Sequence, residues 1–268
     1  MKVEVRGVDL AVEETGTGTP VLWGHGLTSS MAAEVALGFG VVDLPEDRYR
    51  VVRYDARGHG DSGGTTDPAA YAYPGLAADQ LGLADALGID RFVVGGMSMG
   101  SGTALHTAVA APDRVLALVL GIPPTAWEGR RERGAVYEDR GRVIVEQGME
   151  AFIEQAMAEP LAEIFAPFAE QVTAGIRARY ESYDPAVLAP LLTGVGGSDL
   201  PDPEAVAMLP MPVLVLAWDG DPVHPRATAE RLAELLPQAE VMIAPTLRDV
   251  LGWSGRVLEF LDRVVQAK

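Results

Sequence analysis

The feature that most narrows the fold is a rhythm in which short runs of Val, Leu and Ile alternate with longer stretches of helical periodicity. PVLW (20–23), YRVVRYD (49–55), RFVVGG (91–96), VLALVLG (115–121), PVLVLAW (212–218) and AEVMIAP (239–245) have the composition of strands buried on both faces of a parallel sheet. Between them lie LAADQLGLADALG (76–88), MGSGTALHTAVAA (99–111) and ATAERLAELLP (227–237), and SGRVLEFLDRVVQA (254–267) follows the last; all four repeat apolar residues at helical spacing. VEVRG (3–7) and VDLAVEETG (8–16) read as an antiparallel pair joined by a tight turn, and GTGTP ends the second. Strand, helix, strand in this order predicts a doubly wound α/β sheet.

One interval breaks the rhythm. Between VLALVLG and PVLVLAW lie about ninety residues with no convincing strand, an estimate read from the spacing. GRVIVEQGMEAFIEQAMAE (141–159) and FAEQVTAGIRARYESY (168–183) are helical pieces, punctuated by prolines at 160, 167, 185, 190, 201 and 203. An insertion of that size at a sheet edge predicts a helical cap over residues 122–205, with the core formed by 1–121 and 206–268. Val143, Val145, Phe152, Ile153, Met157, Ile164, Phe165 and Phe168 give the cap apolar faces that line a pocket or pack against one another and the core.

Composition removes several function classes. With 48% hydrophobic and 22% charged residues the chain can bury a full core. Its 21 Lys+Arg against 38 Asp+Glu give a net charge of −17. That field repels nucleic acid and anionic membranes, so neither is an expected partner. There is no cysteine, which excludes disulfides, thiolate catalysis and cysteine-based metal sites. MKVEVRGVDL has no apolar stretch of the secretory type, and no run is long and apolar enough for a transmembrane helix. The expectation is a cytoplasmic protein acting on a small molecule, with a homo-oligomer compatible with the sequence.

Gly96-Met97-Ser98-Met99-Gly100 follows a predicted strand and opens a predicted helix. In that context Gly-x-Ser-x-Gly makes a nucleophile elbow: a strained turn presents the serine hydroxyl at the carboxyl edge of the sheet. The flanking glycines let strand and helix approach, and the helix N-terminus favours developing negative charge. Without that context the same five residues are an ordinary turn.

Two further loops accompany the elbow. Trp23-Gly24-His25-Gly26-Leu27 follows the strand PVLW, and Tyr54-Asp55-Ala56-Arg57-Gly58-His59-Gly60-Asp61-Ser62 follows the next one. With the N-terminal hairpin, the elbow, the cap and the last two strands, they make the chain resemble the α/β-hydrolase fold family over almost its whole length. The resemblance implies a mostly parallel eight-stranded sheet flanked by helices, with the cap inserted between strands 6 and 7. It also implies that the amides of Leu27 and Met99 form an oxyanion hole, that Trp23, His25 and Gly26 border the binding site, and that no metal or organic cofactor takes part. The family spans esterases, lactonases, peptidases, carbon–carbon hydrolases and perhydrolases, so the fold alone does not name a substrate. Serine at 98, where haloalkane dehalogenases and epoxide hydrolases carry aspartate, argues against both.

The family's order is Ser, then Asp or Glu, then His. Asp221, in Asp219-Gly220-Asp221-Pro222-Val223-His224-Pro225, fits the acid position, with Asp219 second. The loop after the last strand, Pro245-Thr246-Leu247-Arg248-Asp249-Val250-Leu251-Gly252-Trp253, holds no histidine, and none follows His224. Of the four histidines, His25 and His59 fall in loops where a structural role is expected, and His106 lies too far along its helix to meet Ser98. His224 lies three residues beyond Asp221 on the acid loop. It is therefore the candidate base, oriented by Asp221, Asp219 or Asp249; the plain alternative is a surface histidine at a helix start. Geometry rather than chain order defines such a triad. The resulting expectation is a serine hydrolase of a small neutral ester or lactone, acting through an acyl-enzyme on Ser98. Its rivals are a ligand-binding or regulatory protein that has lost turnover and a non-hydrolytic lyase or cyclase.

Overall fold

The structure, a computed structural model, describes residues 1–38 and 42–265. Its chain runs β1 (Lys2–Val5), β2 (Val8–Gly16), β3 (Thr19–Gly24), α1 (Met31–Leu37), β4 (Tyr49–Tyr54), α2 (Tyr73–Ala86), β5 (Phe92–Met97), α3 (Met99–Ala110) and β6 (Val115–Gly121). Four longer helices follow: α4 (Arg130–Gln147), α5 (Met149–Met157), α6 (Ala169–Glu181) and α7 (Pro185–Gly196). After the short α8 (Pro203–Ala207) come β7 (Val213–Trp218), α9 (Arg226–Leu235), β8 (Ala239–Ala244), α10 (Leu247–Leu251) and α11 (Trp253–Val264).

All eight strands form one sheet in the order β1-β2-β4-β3-β5-β6-β7-β8. The pairs β1/β2 and β2/β4 are antiparallel, and every other pair is parallel. The continuous apolar runs are explained by the two-residue period of a strand covered on both faces. In β5, Phe92 and Val94 enter the core on one side with Leu83 and Leu105, while Val93 and Met97 enter the other with Trp253 and Phe260. In β7, Val213, Val215 and Ala217 take the first side and Leu214, Leu216 and Trp218 the second.

The strands predicted from the sequence all form, within two residues at either end. Five short or interrupted elements differ. Residues 141–159 are not one helix, because Gly148 takes φ 91° and separates α4 from α5. Pro185 opens α7 at its first turn, where its missing N–H has no carbonyl to serve, and Pro190 lies inside α7 rather than ending it. α1, α8 and α10 were not foreseen; each is under two turns long and has too few residues to show a period. Of the predicted 254–267 helix, residues 266–267 lie outside the described residues.

Helices α4, α5 and α7 meet in a small core, in which Phe152 and Ile153 pack with Tyr137, Ile144, Leu188 and Leu191, and which Tyr71 joins from the segment before α2. Val143 packs at its edge and Ile164 against the sheet's second core, whereas Val145 is 76% exposed and belongs to no apolar face. Val145 is thus a correction: α4 turns it to water. Among the described residues no helix is long and apolar enough to cross a membrane.

Candidate active site

The elbow is a steric consequence of two glycines. β5 ends at Met97 and α3 begins at Met99, leaving Ser98 alone to reverse the chain at φ 51°, ψ −110°. A Cβ on Gly96 would stand 2.3 Å from the Gly24 carbonyl oxygen, and one on Gly100 would stand 2.1 Å from it. No side chain fits at either place, because strand β3 and helix α3 are in backbone contact there. The strained serine is held by its own N–H, which donates to Gly121 O at 2.8 Å, and by Ser101 Oγ, which donates to Ser98 O at 2.7 Å. Its hydroxyl faces an adjoining cavity.

The loop after β7 supplies the partner. Ser98 Oγ lies 2.7 Å from His224 Nε2, and His224 Nδ1 lies 2.7 Å from Asp221 Oδ2. Asp221 accepts three more hydrogen bonds: Trp218 Nε1 donates to Oδ2 at 2.9 Å, and the amides of Val223 and His224 donate to Oδ1 at 2.8 and 3.2 Å. Burial works to raise this carboxyl, but the hydrogen bond and charge of His224, with Trp218 and Val223, outweigh it and hold Asp221 well below the usual carboxylate range. An ionised Asp221 keeps the proton of the neutral imidazole on Nδ1 and leaves Nε2 as the acceptor for Ser98. The loop is tied from outside by Thr125, whose N–H and Oγ1 donate to Val223 O at 3.0 and 2.9 Å.

The His-Gly loop lies on the other side of the serine. Gly26 is so close that a Cβ there would touch Ser98 Cβ at 3.7 Å. The His25 ring turns away from the cavity, its Nε2 accepting from Ala56 N at 2.9 Å and its Nδ1 donating to Gly26 O at 2.8 Å. Burial lowers its pKa to about 4, which agrees with an imidazole that must accept at Nε2. Neither the Leu27 nor the Met99 amide donates to a backbone carbonyl among the described residues, and Leu27 lines the cavity. The Asp-x-Arg-Gly-His-Gly loop is a scaffold for this one. Asp55 accepts from Met31 N at 2.7 Å and Asp61 N at 2.9 Å, and Arg57 makes a buried bidentate pair with Asp79.

The candidates therefore separate. Ser98, His224 and Asp221 come together. Asp249 does not: it is exposed, its carboxylate accepts from Thr246 Oγ1 at 2.5 Å, and it belongs to the first turn of α10. Asp219 is exposed and 3.5 Å from Arg226. His106 stacks on Tyr73, with its Nε2 2.9 Å from Asp199 O. His59 is buried edge-on against His25 at 4.9 Å. Trp23 is a correction to the expected binding set, since strand alternation sends its ring into the core with Val93 and Met97. His25 is a second, because its ring serves the loop and not the cavity.

The cavity has a volume of about 720 Å³. Around Ser98 it is bounded by Leu27, Ile122 and Val223, and the insertion covers it with Met157, Phe165, Phe168, Val172 and Ile176. Of the apolar residues foreseen for the insertion, Met157, Phe165 and Phe168 reach the cavity. Among the cavity residues that the sequence reading did not single out, three carry polar or charged groups that matter to the site. Trp218 sits in an apolar strand run where nothing marks its N–H as a donor to Asp221, Glu34 lies on the unforeseen α1, and Arg179 is one of several charged residues in a helical piece.

The family model described as alpha/beta hydrolase fold matches residues 19–254. The chain is 31% identical over 227 residues to a protein of Caulobacter sp. (strain K31) named "Putative carbamate hydrolase RutD", covering 80% of this chain and 81% of that one. Among solved structures, a hydrolase from Pseudomonas aeruginosa PA01 superposes with TM-score 0.81 at 25% identity, covering 97% of each chain. The enol-lactonase from Burkholderia xenovorans LB400 superposes with TM-score 0.79 at 22% identity, covering 97% of this chain and 99% of that one.

Proposed function

The chain belongs to the α/β-hydrolase fold family, and from that premise we propose that it is a serine hydrolase cleaving a small carboxylic ester or lactone. The observation that carries the proposal is the unbroken hydrogen-bond chain from Ser98 Oγ through the His224 ring to Asp221. His224 Nε2 takes the hydroxyl proton as Oγ attacks the carbonyl carbon, and the imidazolium formed is stabilised by the ionised Asp221. The Leu27 and Met99 amides receive the tetrahedral oxyanion. Collapse expels the alcohol, which takes the proton from His224, and leaves an acyl group on Ser98. Water, deprotonated by the same Nε2, then releases the acid and restores the serine. Apolar residues on the insertion support an aliphatic or aryl acyl portion beside the serine.

A reading as a binding protein without turnover drew on the lack of histidine after β8. An imidazole within 2.7 Å of the serine, supplied by the preceding loop, favours the enzyme. The test is labelling with a fluorophosphonate probe together with p-nitrophenyl acetate turnover. The expected result is one label, on Ser98, abolished with turnover in Ser98→Ala; an unlabelled, inactive wild type overturns the proposal.

A further inference from the structure

The charges lining the cavity do not balance. Three carboxyl groups border it, and each is accounted for. Asp221 is bound to His224, and Glu159 is bound to Arg133 and Arg140. Glu34 is buried, and desolvation pushes its carboxyl up to about 8 despite Arg53 and the Gly26 amide, so it is mostly neutral at pH 7. Arg179 on α6 is the cavity's arginine. Among the described residues its side chain forms no ion pair, and its Nε is buried without a hydrogen-bond partner. Elsewhere on the insertion Arg133, Arg140, Arg142 and Arg177 all have carboxylate partners. Arg130, also without an ion pair, donates instead to the backbone carbonyls of Ser198 and Val195, so Arg179 is set apart by lining the cavity with neither a carboxylate nor an Nε partner.

Its position also matters. Arg179, Ser29 and Ser30 line both the main cavity and a smaller one of about 290 Å³ beside it. The smaller one is bordered by Asp184, but that carboxylate caps α7 by accepting from Ala186 N at 2.8 Å. The two nearby imidazoles add no positive charge, because burial lowers His25 to about 4 and His59 to about 3.

We propose that Arg179 is a specificity-determining residue that binds a carboxylate carried by the substrate at the end remote from the scissile ester. The natural substrate is then a half-ester or a carboxyl-bearing lactone, not a neutral one. Guanidinium pairs with carboxylate through parallel N–H···O bonds, and a partly desolvated pair of this kind discriminates strongly against a neutral analogue. This inference rests on the serine-hydrolase reading and revises only the charge of its substrate.

The test compares kcat/KM for the monomethyl and dimethyl esters of glutarate, adipate and pimelate, which differ in one carboxylate while the chain length searches the reach. The wild type is expected to favour the monoester of at least one length by about tenfold or more, and Arg179→Ala to reduce that ratio about ten- to a hundredfold. Arg179→Lys restores part of it, as a point charge without the fork. A wild type that favours the diester at every length, or a ratio equal in wild type and Arg179→Ala, overturns the inference. Should Arg179→Ala fail to fold, inhibition of p-nitrophenyl acetate turnover by glutarate against glutaramide, in wild type and Arg179→Gln, decides the same question. Turnover of p-nitrophenyl acetate and labelling of Ser98 report on the serine chemistry alone, so its failure is distinguishable from failure at Arg179.

Discussion

His224 and Asp221 stand three residues apart in one loop, yet their side chains meet at 2.7 Å while the imidazole's far nitrogen reaches Ser98 at the same distance. The side chains proposed as acid and base thus share one short segment, and the amides of Val223 and His224 fold back on the same carboxylate. On the proposed mechanism, loop integrity and catalysis are coupled. Ser98→Ala and His224→Ala are each expected to lower kcat for p-nitrophenyl acetate by on the order of 10⁴-fold or more, with the double variant little worse than either. Steady-state assays of the three proteins check this. Wild-type kcat in His224→Ala would show that the imidazole is not the base.

Two of the three aspartates offered by the sequence, Asp221 and Asp249, are separated by a second comparison. Asp221→Asn keeps the shape but presents a donor to Nδ1, favouring the wrong imidazole tautomer, and is expected to lower kcat by on the order of 10⁴-fold. Asp249→Asn is expected to leave kcat within about threefold. Its effect is on α10, whose first turn loses a negative charge while an amide oxygen still accepts from Thr246 Oγ1, at a cost of about 0.5 kcal/mol. A loss of activity in Asp249→Asn matching that of Asp221→Asn would contradict the observed pairing.

The sheet was readable in advance because its strands are buried on both faces, so runs such as VLALVLG and PVLVLAW stand out by composition alone. The elbow was readable because only glycine fits at 96 and 100. Chain order ranked Asp221 ahead of Asp219, but whether either of them or Asp249 orients the imidazole was left open, since which carboxylate faces it depends on how two loops fold back from adjacent strands. Trp23 misled for a related reason: adjacency to the His-Gly loop says nothing about which face of β3 a side chain occupies. Arg179 was invisible because a charged residue on a helix is usually solvated, and only its place in the cavity wall, with no ion pair and a buried unpartnered Nε, sets it apart in three dimensions.

Trp218 provides a test of positioning as distinct from chemistry. Its ring stacks on Trp253 at 5.7 Å, and its Nε1 donates to the Asp221 oxygen that also receives His224 Nδ1. Trp218→Phe keeps an aromatic ring in the stack and removes the donor. The expected result is a drop in kcat of about tenfold, with KM changed less than about threefold and a modest loss in Tm. A variant with wild-type kcat would mean that the loop backbone alone holds the carboxylate.

Glu34 sets a pH dependence of stability with a definite sign. Its carboxyl is buried beside the Gly26 amide and Arg53, and desolvation raises it from 4.5 to about 8 in the folded chain. Between those values the unfolded chain has released its proton while the folded chain still holds it, so stability falls as pH rises through the window. At about 1.4 kcal/mol per unit, the full span is worth on the order of a few kcal/mol. Glu34→Gln keeps the size and the neutral state and removes the titration. Its Tm relative to wild type is therefore expected to climb between pH 5 and pH 8 by several degrees, roughly 2–4 °C for each kcal/mol in a chain of this size. The histidines act in the opposite direction. His25 and His59, lowered to about 4 and about 3, withdraw stability as pH falls below 6.5, and they are present in both proteins, so the difference in Tm between the variants isolates Glu34. Thermal melts at pH 5, 6.5 and 8 measure it, and a difference that does not change with pH would mean that the buried carboxyl ionises normally beside the substrate cavity.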